Sequence, residues 1–212
     1  MRVVGGIAKG RQLKGPAGPG TRPVMDRVKT ALFDILAPEI VETRFLDLFA
    51  GTGSIGIEAL SRGATSATFI ENSADAMRIV RQNLTTTRLT DRAETLRTDA
   101  FAFLQQARRE RRTYDIVYVA PPQYVGLASR ALAQLDAAPL TEPGGAVIVQ
   151  IDPRERNEMA SVPLSTLALA DERRYGSTLL LFFDHPEAES TGTPAAAEPE
   201  SLDHREQIRL SR

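Results

Sequence analysis

An apolar run broken by one carboxylate, Phe45-Leu46-Asp47-Leu48-Phe49, leads directly into Ala50-Gly51-Thr52-Gly53-Ser54-Ile55-Gly56. Glycines in this G-x-G-x-x-G order let the chain turn tightly against a ligand, because a side chain on Gly51 or Gly53 would oppose a positive φ or hold the ligand away. Glu71 follows at a spacing of roughly 20 residues, from which a carboxylate can accept both hydroxyls of a ribose. These two features suit NAD and S-adenosylmethionine alike. Three others favour the sulfonium cofactor. Asp47 precedes the turn on the strand itself, where it would repel a pyrophosphate but accept from the ammonium of a methionine moiety. Asp99, with Ala100 and Phe101, follows the third strand and can accept from an adenine amino group. Ala120-Pro121-Pro122-Gln123-Tyr124 closes the fourth strand, its two prolines fixing a rigid backbone with free carbonyls. The competing structural reading makes Asp47 and Asp99 helix caps or turn residues.

The elements that must position these residues alternate strand, turn and helix from Phe45 to about Phe183, the logic of an α/β fold. Strands are expected at Phe45–Phe49, Ala67–Ile70, Ala93–Arg97, Asp115–Val119, Ala146–Ile151 and Leu179–Phe183, with a weaker one at Thr166–Asp171. Helices are expected at Asp26–Leu36, Ser54–Arg62, Ala74–Thr87, Ala100–Glu110 and Gly126–Leu135. Runs such as Ala146-Val147-Ile148-Val149 read as buried on both faces of a parallel sheet. Arg173–Ser177 before Thr178–Phe183 reads as a closing hairpin. The sequence therefore predicts a doubly wound, Rossmann-like sheet, mostly parallel with an antiparallel last strand, preceded by a small N-terminal β-hairpin.

The division expected is a basic hairpin and loop over 1–25, a main domain over 26–185, and a disordered tail over 186–212 rich in Pro, Ala, Glu, Ser and Thr. Zero cysteines exclude disulfides, a thiolate nucleophile and Cys-ligated metal sites, and His185 and His204 both fall late, against a histidine catalyst or His-rich metal site. No metal is expected. The chain has neither a signal-peptide-like start nor an apolar run of membrane-spanning length, so a cytoplasmic monomer without a membrane partner is expected. The net charge is −1, yet residues 1–29 hold Arg2, Lys9, Arg11, Lys14, Arg22, Arg27 and Lys29 against Asp26 alone. A basic leader of this kind is the footprint of phosphate-backbone contact, while its bland counterpart is a solvated arm.

Taken in order, Met1-Arg2-Val3-Val4-Gly5-Gly6, Gly10-Arg11, Thr21–Lys29, Asp47–Gly53, Glu58-Ala59-Leu60-Ser61-Arg62-Gly63 and Tyr175-Gly176-Ser177-Thr178 resemble the RsmD-type 16S ribosomal RNA guanine-N2 methyltransferases. The likeness covers residues 1 to about 184. It implies a class I methyltransferase fold, S-adenosylmethionine as methyl donor, and a guanine amino group of 16S rRNA as acceptor, of the guanine-966 type, within a small-subunit assembly particle. By motif position, Asp47, Gly51 and Gly53 would face the methionine moiety, Glu71 the ribose, and Asp99 with Ala100 the adenine. Phe49, Asn72, Arg22 and Asp26 complete the implied cofactor set, the Arg22–Lys29 segment helping to close the site. Arg2, Lys9, Arg11, Lys14 and Arg27 would contact RNA. The chain departs from the family at Met25, where threonine is usual.

A second departure touches the chemistry. An exocyclic amine is a poor nucleophile, because its lone pair is delocalised into the ring. Enzymes of this type place Asp or Asn before two prolines and an aromatic residue, so that side chain and carbonyl accept the amine N–H groups. Here that position is Ala120. Pro121 keeps its carbonyl, Gln123 offers an amide oxygen, and Tyr124 can stack on an unpaired base. Asp152-Pro153 is a further candidate acceptor. Alternatives are an adenine-N6 methyltransferase, a cofactor- and RNA-binding relative without catalysis, and a NAD-dependent dehydrogenase. Arg108, Arg109, Arg111 and Arg112 form a second basic run, expected near the sheet's carboxyl edge or just behind it and open to phosphate contact or a solvated role.

Overall fold

The computed structural model describes residues 1–15 and 26–186. Expectations placed on Arg22, Met25, His204 and the tail beyond residue 186 fall outside the described residues.

Seven strands form one sheet: β1 (Arg44–Asp47), β2 (Ser66–Glu71), β3 (Ala93–Arg97), β4 (Tyr114–Val119), β5 (Thr141–Ile151), β6 (Ala168–Tyr175) and β7 (Thr178–Asp184). Their order is β3-β2-β1-β4-β5-β7-β6, with β3 to β5 parallel and β7 antiparallel to both neighbours. Alternation along each strand decides which layer a side chain joins. Phe45, Phe69, Tyr118, Ile148 and Phe182 meet α1 (Asp26–Ile35), α2 (Ser54–Ser61) and α3 (Ala74–Thr87) on one face. Leu46, Ile70, Val119, Val149 and Leu181 meet α4 (Ala100–Arg109), α5 (Leu127–Ala137) and α6 (Arg156–Ala160) on the other. The strand order reverses between β1 and β4, where their connections leave to opposite sides. A crevice opens at the carboxyl ends of strands at such a point.

The first fifteen residues are part of this packing. Arg2 and Gln12 form an antiparallel bridge, and Val3, Ala8 and Leu13 join the same apolar cluster as Leu32, Phe33, Ile57 and Leu60. This covering leaves every residue of α2 buried, including the charged Glu58.

Three regions differ from the sequence expectation. β5 begins at Thr141 rather than Ala146, because the strand continues through Glu142-Pro143-Gly144-Gly145, with Gly144 at φ 87°, where the composition suggests a turn. It is held by hydrogen bonds from Gly144 N–H to the His185 carbonyl and from His185 N–H to the Gly145 carbonyl. β6 reaches Tyr175 because Asp171-Glu172-Arg173-Arg174, which reads as solvated, lies on the sheet's edge where charges are tolerated. A 3₁₀ turn at Pro153–Glu155 and then α6 follow β5, both too short for periodicity to reveal.

Asp136, near the end of α5, organises the connection into β6. Burial pushes its carboxyl up, but N–H groups of Leu167, Thr166 and Ser165 and the Ser165 hydroxyl outweigh burial and hold it at about 2, below 3.8. A depressed carboxyl contributes stability above its unfolded value and loses it as pH falls toward the folded one. Asp136→Ala is expected to cost on the order of 3 kcal/mol at neutral pH by stranding those donors. Urea denaturation at pH 7 and pH 3 checks it, the deficit shrinking at the lower pH.

Candidate functional site

The glycine turn is anchored from both sides. Leu48 N–H donates to the Tyr118 carbonyl of β4, and Ala50 N–H to the Ile70 carbonyl of β2. Gly51 and Gly53 adopt φ of 56° and 76°, which a side chain would strain. A Cβ on Gly51 would meet nothing within 4 Å, so the space above it is open. At Gly56 a Cβ would come 2.4 Å from the Phe69 ring. The third glycine thus serves close packing of α2 on β2 rather than ligand approach.

Asp47 closes β1 beneath this turn, buried, and its Oδ2 accepts the Gly56 N–H at 3.1 Å. That is the only hydrogen bond of its side chain among the described residues. Burial, helped by the Glu71 charge and opposed by the Gly56 N–H, pushes its carboxyl up to about 7 from 3.8. Glu71 ends β2 and spans the crevice wall: Oε2 accepts Gly51 N–H at 2.9 Å and Oε1 accepts Ser73 N–H at 2.8 Å. The acid expected to meet a ribose therefore also sets the glycine turn. Asp99 does cap α4, as the structural reading has it, but Oδ1 alone takes the N–H groups of Phe101 and Ala102. Ala100 is buried behind it, and Phe49 packs edge-on against Phe101 at 6.3 Å between centroids. Asn72 is exposed at the end of β2.

The segment after β4 lies across the reversal from Asp47. Ala120 packs against the α1–α3 layer, Pro121 is buried, and Gln123 is exposed with no hydrogen bond among the described residues. Tyr124 is half exposed at a φ of 64°. Asp152, at the end of β5, forms a capping box with Glu155 and an ion pair with Arg154 at 3.0 Å, which together with the Tyr124 hydroxyl and the Arg154 N–H hold its carboxyl well below the usual range. It serves the turn rather than standing free as an acceptor.

The residues expected to touch RNA divide. Arg2, Lys9 and Arg27 surround a hollow of about 370 Å³ that also includes Asp26 and Thr30. Asp26, expected at the cofactor, instead faces Arg2 at 3.7 Å across this hollow. Arg11 donates to the Thr86 carbonyl and Lys14 to the Gln82 side chain, so both lie along α3. Lys29 is fully buried against Glu58 at 3.3 Å and contributes nothing to a surface footprint. The run Arg108–Arg112 is at the sheet's amino edge, not its carboxyl edge. The reason is that α4 leaves β3 at the carboxyl end and runs back, bringing Arg112 to Glu94 at the start of β3 at 2.7 Å. His185 is likewise remote, tied to Thr141 at the start of β5.

Sequence reasoning gave no role to Glu58, Arg154 or Glu155, and it placed Lys29 in the basic leader rather than in the core. An acid in the middle of the apolar helix Ser54–Ser61 was the signal available for Glu58.

A family model described as conserved hypothetical protein 95 matches residues 1–184 of the chain. The chain is 34% identical to YlbH of Bacillus subtilis (strain 168) over 178 residues, 84% of this chain and 95% of that protein. It is 40% identical to ribosomal RNA small subunit methyltransferase D of Escherichia coli (strain K12) over 136 residues, 64% of this chain and 67% of that one. Among solved structures, Escherichia coli yhhF superposes with a TM-score of 0.76 at 32% identity, covering 88% of this chain and 98% of that one.

Proposed function

The chain belongs to the family of ribosomal RNA small subunit methyltransferase D, whose model spans residues 1–184, and from that premise we propose that it methylates the exocyclic N2 amine of a guanine in small subunit rRNA. S-adenosylmethionine is the donor. The observation that carries this is Asp47: a buried carboxylate with a single N–H partner, next to the open backbone of Gly51 at the strand-order reversal. A buried carboxylate with one N–H partner beside open space suits a cation, and the ammonium of a methionine moiety supplies one.

When bound, S-adenosylmethionine supplies an electrophilic methyl on a sulfonium whose neutral thioether leaves readily. The chain's own residues bind and orient. Asp47 would hold the ammonium, the Gly51–Gly53 backbone would lie along the amino-acid moiety, Glu71 would accept ribose hydroxyls, and the remaining oxygen of Asp99 would take the adenine amino group. Phe49, packed on Phe101, walls the crevice. Across it, the Pro121 carbonyl and the Gln123 amide oxygen would accept the two N–H groups of the target amine, so that its lone pair turns out of conjugation toward the methyl. Positioning of this kind supplies much of the acceleration, and proton loss can follow transfer without a strong base. Arg2, Lys9 and Arg27 would meet RNA phosphates, and Tyr124 would stack on an extruded base.

The competing reading, cofactor and RNA binding without transfer, is favoured by Ala120, whose side chain cannot accept a hydrogen bond. Tritium transfer from labelled S-adenosylmethionine to small subunit rRNA from cells lacking this protein separates the two, with mass mapping to identify the base. Gln123→Ala is expected to lower kcat about fivefold, the worth of one neutral hydrogen bond. Undiminished transfer would remove Gln123 from the acceptor role.

A further inference from the structure

The segment expected to meet the target base is held by a turn that takes no part in the chemistry above. Tyr124 adopts φ 64°, a left-handed conformation that bulky residues rarely enter and that usually marks an imposed constraint. The constraint is Glu155, nearly buried, whose Oε1 accepts the Tyr124 N–H at 2.9 Å while Oε2 accepts the Asp152 N–H at 3.2 Å. One carboxylate thereby ties the end of β4 to the end of β5. Arg154, on the same turn, completes the tie. Its Nε lies 3.0 Å from Asp152 Oδ1 and one terminal nitrogen 3.3 Å from Oδ2. That nitrogen also donates to the Tyr124 hydroxyl, and the guanidinium sits 4.6 Å from the Tyr124 ring centroid.

We propose that Arg154 is a positioning residue for the acceptor base: braced by Asp152, it fixes the Tyr124 ring as a cation-backed platform on which an extruded guanine stacks. The inference rests on the stacking role given to Tyr124 above. A guanidinium over one face fixes the plane of the ring and draws its electron density, which favours an electron-rich purine on the opposite face. Lysine cannot substitute fully, because an ammonium has neither the plane that covers a ring nor the fork that grips Asp152 while reaching the hydroxyl.

The test is steady-state methyl transfer by the full chain to small subunit rRNA, alongside calorimetric binding of S-adenosylhomocysteine. Arg154 is largely solvent-exposed, so its substitution should leave the fold intact. Arg154→Ala is expected to raise KM for RNA about fivefold, with kcat within about twofold and cofactor-product affinity unchanged. Arg154→Lys should recover less than half of that loss. In a Tyr124→Leu background, adding Arg154→Ala should change KM by less than about twofold, since the platform is already gone. An equal KM increase in both backgrounds would assign Arg154 to a direct phosphate contact and overturn the proposal, as would an unaltered KM in Arg154→Ala. Absence of transfer by the unsubstituted protein sinks the methyltransferase reading itself, an outcome distinct from either of these.

Discussion

Replacing Glu58 with alanine is expected to destabilise the protein by about 3–5 kcal/mol, the cost of leaving a buried charge without its partner. Both Glu58 and Lys29 are fully buried, and among the described residues the Lys29 ammonium, lowered from its usual pKa by that burial, is satisfied by Glu58 and the Arg2 carbonyl. Glu58 does more than neutralise it. Its Oε2 accepts the Val4 N–H at 2.9 Å and its Oε1 accepts the Gly5 N–H at 2.7 Å and Arg62 Nε at 3.0 Å. The amino-terminal arm therefore docks on α2 through one carboxylate. Ser61 assists, since its hydroxyl takes the Ala8 N–H and donates to the Gly5 carbonyl.

Two measurements follow from this arrangement. Urea denaturation should show the loss of stability, and brief proteolysis should cut the arm of Glu58→Ala far sooner than that of the parent. A Glu58→Leu, Lys29→Met double variant should recover most of the stability, because an apolar pair replaces an ion pair whose desolvation is costly. It should not recover arm docking, since leucine accepts no N–H from Val4 or Gly5. A single variant within 1 kcal/mol of the parent would show that the arm is held by Val3, Ala8 and Leu13 packing and its other hydrogen bonds without need of Glu58.

The parallel core was legible because its signals are local and reinforce one another. Val117-Tyr118-Val119 and Val147-Ile148-Val149 are too apolar to be anything but central strands, and Asp99 sits where a helix cap belongs, accepting from the first turn of its helix. The glycine turn was legible for the same reason, with positive φ appearing at both Gly51 and Gly53. What was not legible depends on pairing across the chain. Glu142–Gly145 belongs to β5 because residue 185 pairs with it, and Arg108–Arg112 falls at the far edge because α4 runs antiparallel to the strands. Within the site, Asp47, Glu71 and Asp99 could be placed from spacing along one strand or turn. The tie between Tyr124 and Glu155 could not, because the two residues are brought together by β4 and β5 lying side by side.

Asp47 carries the second large expectation. Asp47→Asn is expected to weaken S-adenosylhomocysteine binding by about 3 kcal/mol, on the order of 100-fold, because a buried ammonium would lose its counter-charge while the Gly56 N–H keeps an acceptor. The pH dependence gives a sharper test. In the free protein burial raises this carboxyl to about 7, so it is largely neutral below that value. An ammonium ligand favours the ionised form, and must displace a proton to bind below pH 7. Affinity should therefore fall as pH drops through about 7, approaching tenfold per unit well below it, and should level off above. Stability of the ligand-free protein should run the opposite way. A carboxyl raised in the folded state contributes fully below its unfolded value of 3.8 and loses that contribution as pH rises through about 7. Both slopes should flatten in Asp47→Asn, one read by calorimetry between pH 5.5 and 8 and the other by denaturant midpoint over the same range. An affinity independent of pH in the parent, or an Asn variant that binds within about threefold of it, would take the ammonium away from Asp47 and with it the orientation of the donor in the crevice.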